Sequence, residues 1–172
     1  MHPALPAEPP PRSEVRVRQA VLADLDALAA LLDQHRRLQG QPGDMPAART
    51  FLLERFNHGE SVLVIAGAGV ADAAPMGFAQ LYPSFSSTTL SRVFILNDLF
   101  VAESGRRLGV ASKLLAAVEA YAWALSATRV TLNVGRSNAP GQALYRARGW
   151  KQDEQFYMFH RFPGGPGLPE RS

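Results

Sequence analysis

The sequence predicts a layered α/β (α+β) domain in which a mixed central β-sheet of about six strands is flanked by about four helices. Three observations lead there. The 172 residues suit one domain of the usual size, roughly 100–200 residues. Apolar residues make up 47% and charged residues 19%, enough for a packed core and unlike a disordered chain. Short apolar or alternating runs interleave with longer runs whose apolar residues recur at helical spacing.

Residues 1–13 are proline-rich and read as a flexible arm, 163–172 read as a flexible tail, and the domain occupies 14–162. Glu14–Arg18, EVRVR, alternates like a half-buried strand. Ala23–Leu38 sets Leu25, Leu28, Leu31 and Leu32 on one helical face, with Asp24 and Asp26 near the start where the helix dipole favours acids. A second helix spans about Ala47–Asn57 with Phe51, Leu52 and Phe56 inward. SVLVIAG, the turn-like GVADAAP and MGFAQLY make Ser61–Tyr82 an antiparallel hairpin. Arg92–Val101, RVFILNDLFV, is long, apolar, β-branched and aromatic, and reads as a central strand. Gly109–Ser126 is an amphipathic helix with Val110, Leu114, Leu115, Val118, Tyr121, Ala122 and Leu125 in one stripe. Val130–Val134 is a strand, Ala139–Arg148 a short helix, and Trp150–Arg161 a final strand containing FYMF.

The chain has no cysteine, which excludes a disulfide scaffold, a thiolate zinc site, an iron-sulfur cluster and a cysteine nucleophile together. Net charge is +3, and Lys113 and Lys151 are the only lysines, so 16 of the 18 basic residues are arginines. These are spread along the chain rather than gathered on a basic face, which argues against nucleic acid. The start lacks the basic and apolar regions of a signal peptide, and no apolar run approaches the roughly 20 residues of a membrane span. A cytoplasmic protein without membrane partners is expected. His2, His35 and His58 show no paired metal-ligand spacing and read as surface or helix-end residues, so no metal is expected.

Two short stretches carry chemistry. Arg106-Arg107-Leu108-Gly109-Val110-Ala111 lies between the central strand and the amphipathic helix, where unpaired backbone N–H groups and the helix dipole suit a phosphate. Gly109 and Ala111 let the backbone approach closely, and Arg106 and Arg107 supply charge-assisted donors. The same stretch also reads as an ordinary glycine-containing helix start with solvated arginines. A Walker loop fits less well because Lys113 falls a turn too late, and Gly67-Ala68-Gly69 lacks the third glycine of a dinucleotide fingerprint. The second stretch runs from Asn138 to Trp150. Asn138 suits an N-cap, Pro140 a first turn and Gly149 a helix end, with Tyr145 about two turns after the cap.

An R-x-x-G-x-A loop after a long strand, followed about 30 residues later by N-x-x-G-x-x-L-Y-x-x-x-G-W, resembles the GNAT superfamily of acyl-CoA-dependent N-acetyltransferases. The resemblance covers about Glu14–Phe162 and implies a GNAT-like sheet. LYPSFSS followed by ILNDLFV looks like the polyamine acetyltransferase branch. The resemblance implies acetyl-CoA as acetyl donor, with the backbone of Leu99, Phe100 and Val101 pairing with its pantetheine arm like an added strand. It implies a diphosphate cradle of Arg106, Arg107, Leu108, Gly109, Val110, Ala111 and Ser112. Asn138 would contact the cofactor arm and Tyr145 would stand near the thioester sulfur as the catalytic donor. Arg136, Arg146 and Arg148 are candidates for the outer phosphate, or simply solvated surface arginines. The acceptor is expected to be a small-molecule amine, polyamine- or amino-acid-like, and a homodimer is also implied by the resemblance alone.

The polyamine branch places an acid where this chain has Asn97, and an amide cannot be a base. Strand alternation sends the neighbouring Asp98 to the other face. A water relay from Glu54 or Glu60 remains open, so no base is assigned. Without a thiol to carry an acetyl group, direct transfer in a ternary complex is expected. The competing readings are a catalytically silent acyl-CoA sensor, acetylation of a protein amine, and a hydrolase built on Gly135-Arg136-Ser137-Asn138-Ala139 with Asp153 and His160.

Overall fold

The alternating segment after residue 14 forms a strand, Val15–Gln19 (β1), in the computed structural model, which describes residues 14–68 and 74–163. The arm 1–13, nearly all of the tail and most of the GVADAAP turn lie outside the described residues. The described chain divides into two compact units, one ending at Gly135 and one starting at Arg136.

In the first unit, a 3-10 turn at Leu22–Asp24 leads into helices Leu25–Leu38 (α1) and Met45–His58 (α2). Asp24 ties the turn down by accepting from the Val21 N–H at 2.8 Å and from both Arg18 nitrogens at 2.6 and 2.7 Å. α2 starts where expected from its residues: Asp44 accepts the Ala47 N–H at 2.9 Å and Pro46 occupies the first turn. Asp33, buried on α1, accepts the Asp44 N–H at 2.6 Å and an Arg37 nitrogen at 2.7 Å, which fixes the connection between the helices.

Strands Val62–Ala68 (β2), Pro75–Ser86 (β3), Ser91–Val101 (β4) and Arg129–Leu132 (β5) join β1 in one sheet of order β1-β2-β3-β4-β5. All pairs are antiparallel except β4 and β5, which are parallel and therefore joined by a crossover helix, Val110–Ala124 (α3). The period of two sends Leu63, Ile65, Phe78 and Phe100 into a core with Leu28, Leu31, Leu32 and Leu52 of α1 and α2. Phe94, in register with Pro83, takes the opposite face and meets Tyr121 of α3 at 5.9 Å between ring centroids. Val110, Leu114, Leu115, Val118 and Ala122 of α3 are buried as the stripe predicts, but Leu125 lies past the helix end and is exposed.

The second unit holds one regular element, helix Ala139–Ala147 (α4). The mixed layered fold stands with five strands and four helices, and the expected sixth strand, Trp150–Arg161, does not form among the described residues. Its aromatics have the propensity but no ladder: Phe156, Tyr157 and Phe159 are exposed, and Asp153 draws the Gln155 and Phe156 N–H groups into a turn.

Gly77 of β3 lies against both β4 and Val110 of α3. A Cβ there would lie 2.5 Å from the Phe100 carbonyl oxygen and 3.3 Å from Val110 Cγ1. Gly77→Ala is expected to destabilise the protein by about 1–3 kcal/mol, the usual range for overpacking. At about 2–4 °C per kcal/mol for a chain of this size, differential scanning calorimetry should read the loss directly.

Candidate active site

The β3–β4 register sets the site. Gln80 pairs with Asp98 but Leu81 pairs with Leu96, so Asn97 is an extra residue, a β-bulge in β4. Phe78, Gln80, Tyr82 and Ile95 mark the α1–α2 face of the sheet, and Asn97 falls on that face by alternation from Leu96. The bulge then repeats the direction, and Asp98 joins Asn97 there. The expectation that Asp98 points to the other face is thus overturned, because alternation holds only while the ladder is regular.

Asp98, with its side chain only 14% exposed, accepts a hydrogen bond from Asn97 Nδ2 at 3.0 Å through one oxygen. Its other oxygen lies 3.5 Å from His35 Nε2. His35 is no surface residue: its ring packs on Phe100 at 5.5 Å and on Phe78 at 6.3 Å. Asp98 lines a cleft of about 350 Å³ with Leu32, Arg36, Ala48, Phe51, Tyr82 and Asn97. Burial, and secondarily the charges of Asp98 and Glu60, push the Tyr82 phenol up to about 12 against the opposing pull of Arg55. Tyr82 is therefore a proton-bearing donor beside the carboxylate at neutral pH. Glu60 and Glu54 are engaged by Arg55.

β4 also presents an open edge. Its pairing with β5 ends at Leu96↔Leu132, so among the described residues Leu99, Phe100 and Val101 pair only with Ala79, Phe78 and Gly77 of β3. The chain then turns through Arg106, Arg107, Leu108 and Gly109, all exposed, into α3. Gly109 has φ +74°, the left-handed region, and Arg107 has φ +61°. No side chain caps α3, and the Lys113 N–H reaches the Gly109 carbonyl at 3.1 Å. The N–H groups of Val110, Ala111 and Ser112 precede that first helical bond, where an anion is favoured by the dipole. Lys113 itself is committed to the Val15 carbonyl at 2.8 Å.

In the second unit, Asn138 Oδ1 accepts the Gly141 N–H at 3.0 Å, and a Cβ at Gly141 would lie 2.8 Å from Asn138 Nδ2. The glycine of the motif leaves room for the cap. Gly149 at φ +84° closes the helix, with the Trp150 N–H on the Tyr145 carbonyl at 3.0 Å. The Tyr145 and Trp150 rings lie 5.9 Å apart, and burial pushes the Tyr145 phenol up. The hydrolase constellation does not assemble: Asp153 is spent on backbone N–H groups, His160 stacks on Phe162, and no hydrogen bond joins Ser137 to either among the described residues.

Sequence reasoning missed Arg36 and Tyr82, sent Asp98 to the wrong face and gave His35 no part in the site. A bulge leaves no mark in composition or periodicity, and the adjacency of His35 to Asp98 arises only when α1 docks on the sheet.

A mixed sheet with an open β4 edge, an uncapped glycine turn before α3 and a carboxylate cleft defines an acyltransferase-type fold. The Acetyltransferase (GNAT) family model matches residues 26–150, and the chain belongs to that family. It is 37% identical over 145 residues to an uncharacterized N-acetyltransferase, YhfO, of Bacillus subtilis (strain 168), covering 84% of this chain and 95% of the relative. Its fold is similar to the crystal structure of a probable acetyltransferase, with a TM-score of 0.82, 36% identity and coverage of 88% and 99%. A more distant fold neighbour is the aminoglycoside N-acetyltransferase AAC(6')-Iy in complex with CoA, at TM-score 0.72, 24% identity and coverage of 88% and 97%.

In a rapid-mixing alkaline titration followed by ultraviolet absorbance, Tyr82→Phe is expected to remove a transition near pH 12. Asp98→Asn is expected to move that transition downward, since it deletes a negative charge that disfavours the phenolate.

Proposed function

We propose that the protein is an acetyl-CoA-dependent N-acetyltransferase that passes the acetyl group directly to the primary amine of a small molecule, polyamine- or amino-acid-like. One observation carries the reading: the single stretch Asn97–Ser112 bears a carboxylate facing the cleft, a strand edge open to pairing and a glycine turn at the uncapped start of a helix. In this reading Leu99, Phe100 and Val101 pair with the amide-bearing arm of the donor. The turn from Arg106, Arg107 and Leu108 through Gly109, Val110, Ala111 and Ser112 holds its diphosphate. Asn138 and Tyr145 enter on the family motif and on their chemistry.

An amine with a pKa near 10.4 is neutral in only a fraction of about 10 to the power −3.4 at pH 7, a handicap of roughly 4.6 kcal/mol. Asp98 holds the ammonium, which by itself favours the charged form, and acts as the base that carries its proton to solvent before the attack. The amine lone pair then forms the C–N bond as the C–S bond breaks. The second amine proton leaves through the same carboxylate once that group has passed the first to solvent, and Tyr145 supplies a proton to the departing sulfur and regains one from solvent. Because burial raises the Tyr145 pKa while a thiolate is protonated near 8.5, that transfer is partial, a strong hydrogen bond rather than a free phenolate.

Tyr145→Phe is expected to lower kcat by about 10² while leaving acetyl-CoA affinity by calorimetry nearly unchanged. Asp98→Asn is expected to lower kcat by about 10²–10⁴, with the loss growing smaller as pH rises and the free amine becomes abundant. Two-substrate kinetics should be sequential; a trapped acetyl-enzyme would contradict direct transfer, and absence of acetyl-CoA binding at millimolar concentration would overturn the whole reading.

A further inference from the structure

Among the described residues that line the Asp98 cleft Arg36 is the only cation, and its one ion-pair partner is Asp33, a turn earlier on α1. Arg36 Nη1 is buried and makes no hydrogen bond. The nearest carboxylate oxygen, Asp33 Oδ1, is 4.0 Å away, beyond hydrogen-bond reach, and Asp33 is already occupied by Arg37 at 2.7 Å and the Asp44 N–H at 2.6 Å. With Nη1 turned to Asp33 at that distance and the side chain still 31% exposed, the guanidinium keeps donors for a planar anion, and a carboxylate fits its fork.

The rest of the lining sharpens the ligand. Asp98 is its only carboxylate, Asn97 and Tyr82 are neutral, and Leu32, Ala47, Ala48 and Phe51 are apolar. One anion and one cation on an apolar floor complement a zwitterion. A polyamine would set several ammonium groups against one carboxylate and would bring one of them toward Arg36. The cleft, at about 350 Å³, sits at the small end of the usual ligand-site range of about 300–1,000 Å³.

Resting on the acetyltransferase reading above, we infer that the acceptor is an amino-acid-like molecule, its amine at Asp98 and its carboxylate on Arg36. Arg36 is thus a specificity residue, absent from the bond-making steps.

The test pairs acceptors that differ only in the anion. Thiol release with acetyl-CoA is measured for a series of L-amino acids, their carboxamides, their decarboxylated amines and spermidine. The wild-type protein is expected to favour the acid over its amide by about 10- to 100-fold in kcat/KM, chiefly through KM. In Arg36→Gln that preference should collapse to within about threefold, and Arg36→Lys should restore part of it. Independently of turnover, an N-acetyl-amino acid should bind the wild type in calorimetry and bind Arg36→Gln at least tenfold more weakly, with the thermal midpoint of each variant reporting its fold. Amides or spermidine used as well as the acids overturn the inference while leaving the acetyltransferase reading standing. An equal loss on acids and amides in Arg36→Gln also overturns it, since it assigns Arg36 a structural role. Acetyl-CoA binding without thiol release on any amine overturns the acetyltransferase reading, and with no N-acetyl-amino acid bound it removes the anion subsite too.

Discussion

One residue more in β4 than in β3, at Asn97, changes what the cleft can do. In a regular ladder Asp98 would face α3 and the apolar stripe of Val110, Leu114 and Val118, where an ionised carboxylate has no partner and a large desolvation cost. With the bulge it faces α1, finds Asn97 and His35, and keeps an opening to the cleft. Bulges also increase local twist. The β4–β5 ladder ends at Leu96, directly before the bulge, so the strand edge that opens and the carboxylate that turns share one origin.

The second support is the buried Asp33. It serves α2 by holding the Asp44 backbone and α1 by holding Arg37, and it sits one turn from Arg36. Because those two donors satisfy it, Arg36 closes only a long i,i+3 ion pair with it, at 4.0 Å and without a hydrogen bond. The charge pattern of the cleft therefore follows from a structural hydrogen bond in the link between the helices. His35 and Arg36 are neighbours on α1, and both reach the cleft region from the same turn that Leu32 anchors in the core.

The sequence displays the fold well because apolar periodicity is local. Leu25, Leu28, Leu31 and Leu32 identify α1, and the stripe from Val110 to Ala122 identifies α3, before any tertiary contact is considered. The glycine turn is legible for the same reason: Gly109 marks a left-handed position that other residues adopt only at a cost. The failures are all non-local. FYMF has strand composition, but a strand exists only within a ladder, and no strand is formed there among the described residues. His35 does lie in the last turn of α1, as expected of a helix-end histidine, but its packing on Phe78 and Phe100 is a tertiary contact that the sequence does not display. Asp98 is visible in ILNDLFV, yet its direction depends on a register shift set by both strands.

The mixed charge of the cleft bears on reactivity as well as on recognition. A carboxylate next to an ammonium stabilises its charged form and by itself raises the amine pKa, which holds the substrate but opposes its attack. A guanidinium nearby has the opposite sign and favours the neutral amine. With Arg36 neutralised by the substrate's own carboxylate, that help is reduced, and the nucleophile is freed mainly when Asp98 accepts the proton outright. Amines that are less basic to begin with gain here: a peptide α-amine with a pKa near 7.7–8.0 needs only about 1–1.4 kcal/mol to reach its neutral form at pH 7, against about 4.6 for a lysine-like amine. A site with one carboxylate and one guanidinium is thus better matched in charge to an amine beside a carboxylate than to a strongly basic polyamine, while the gain in energy belongs to an α-amine beside a carbonyl group.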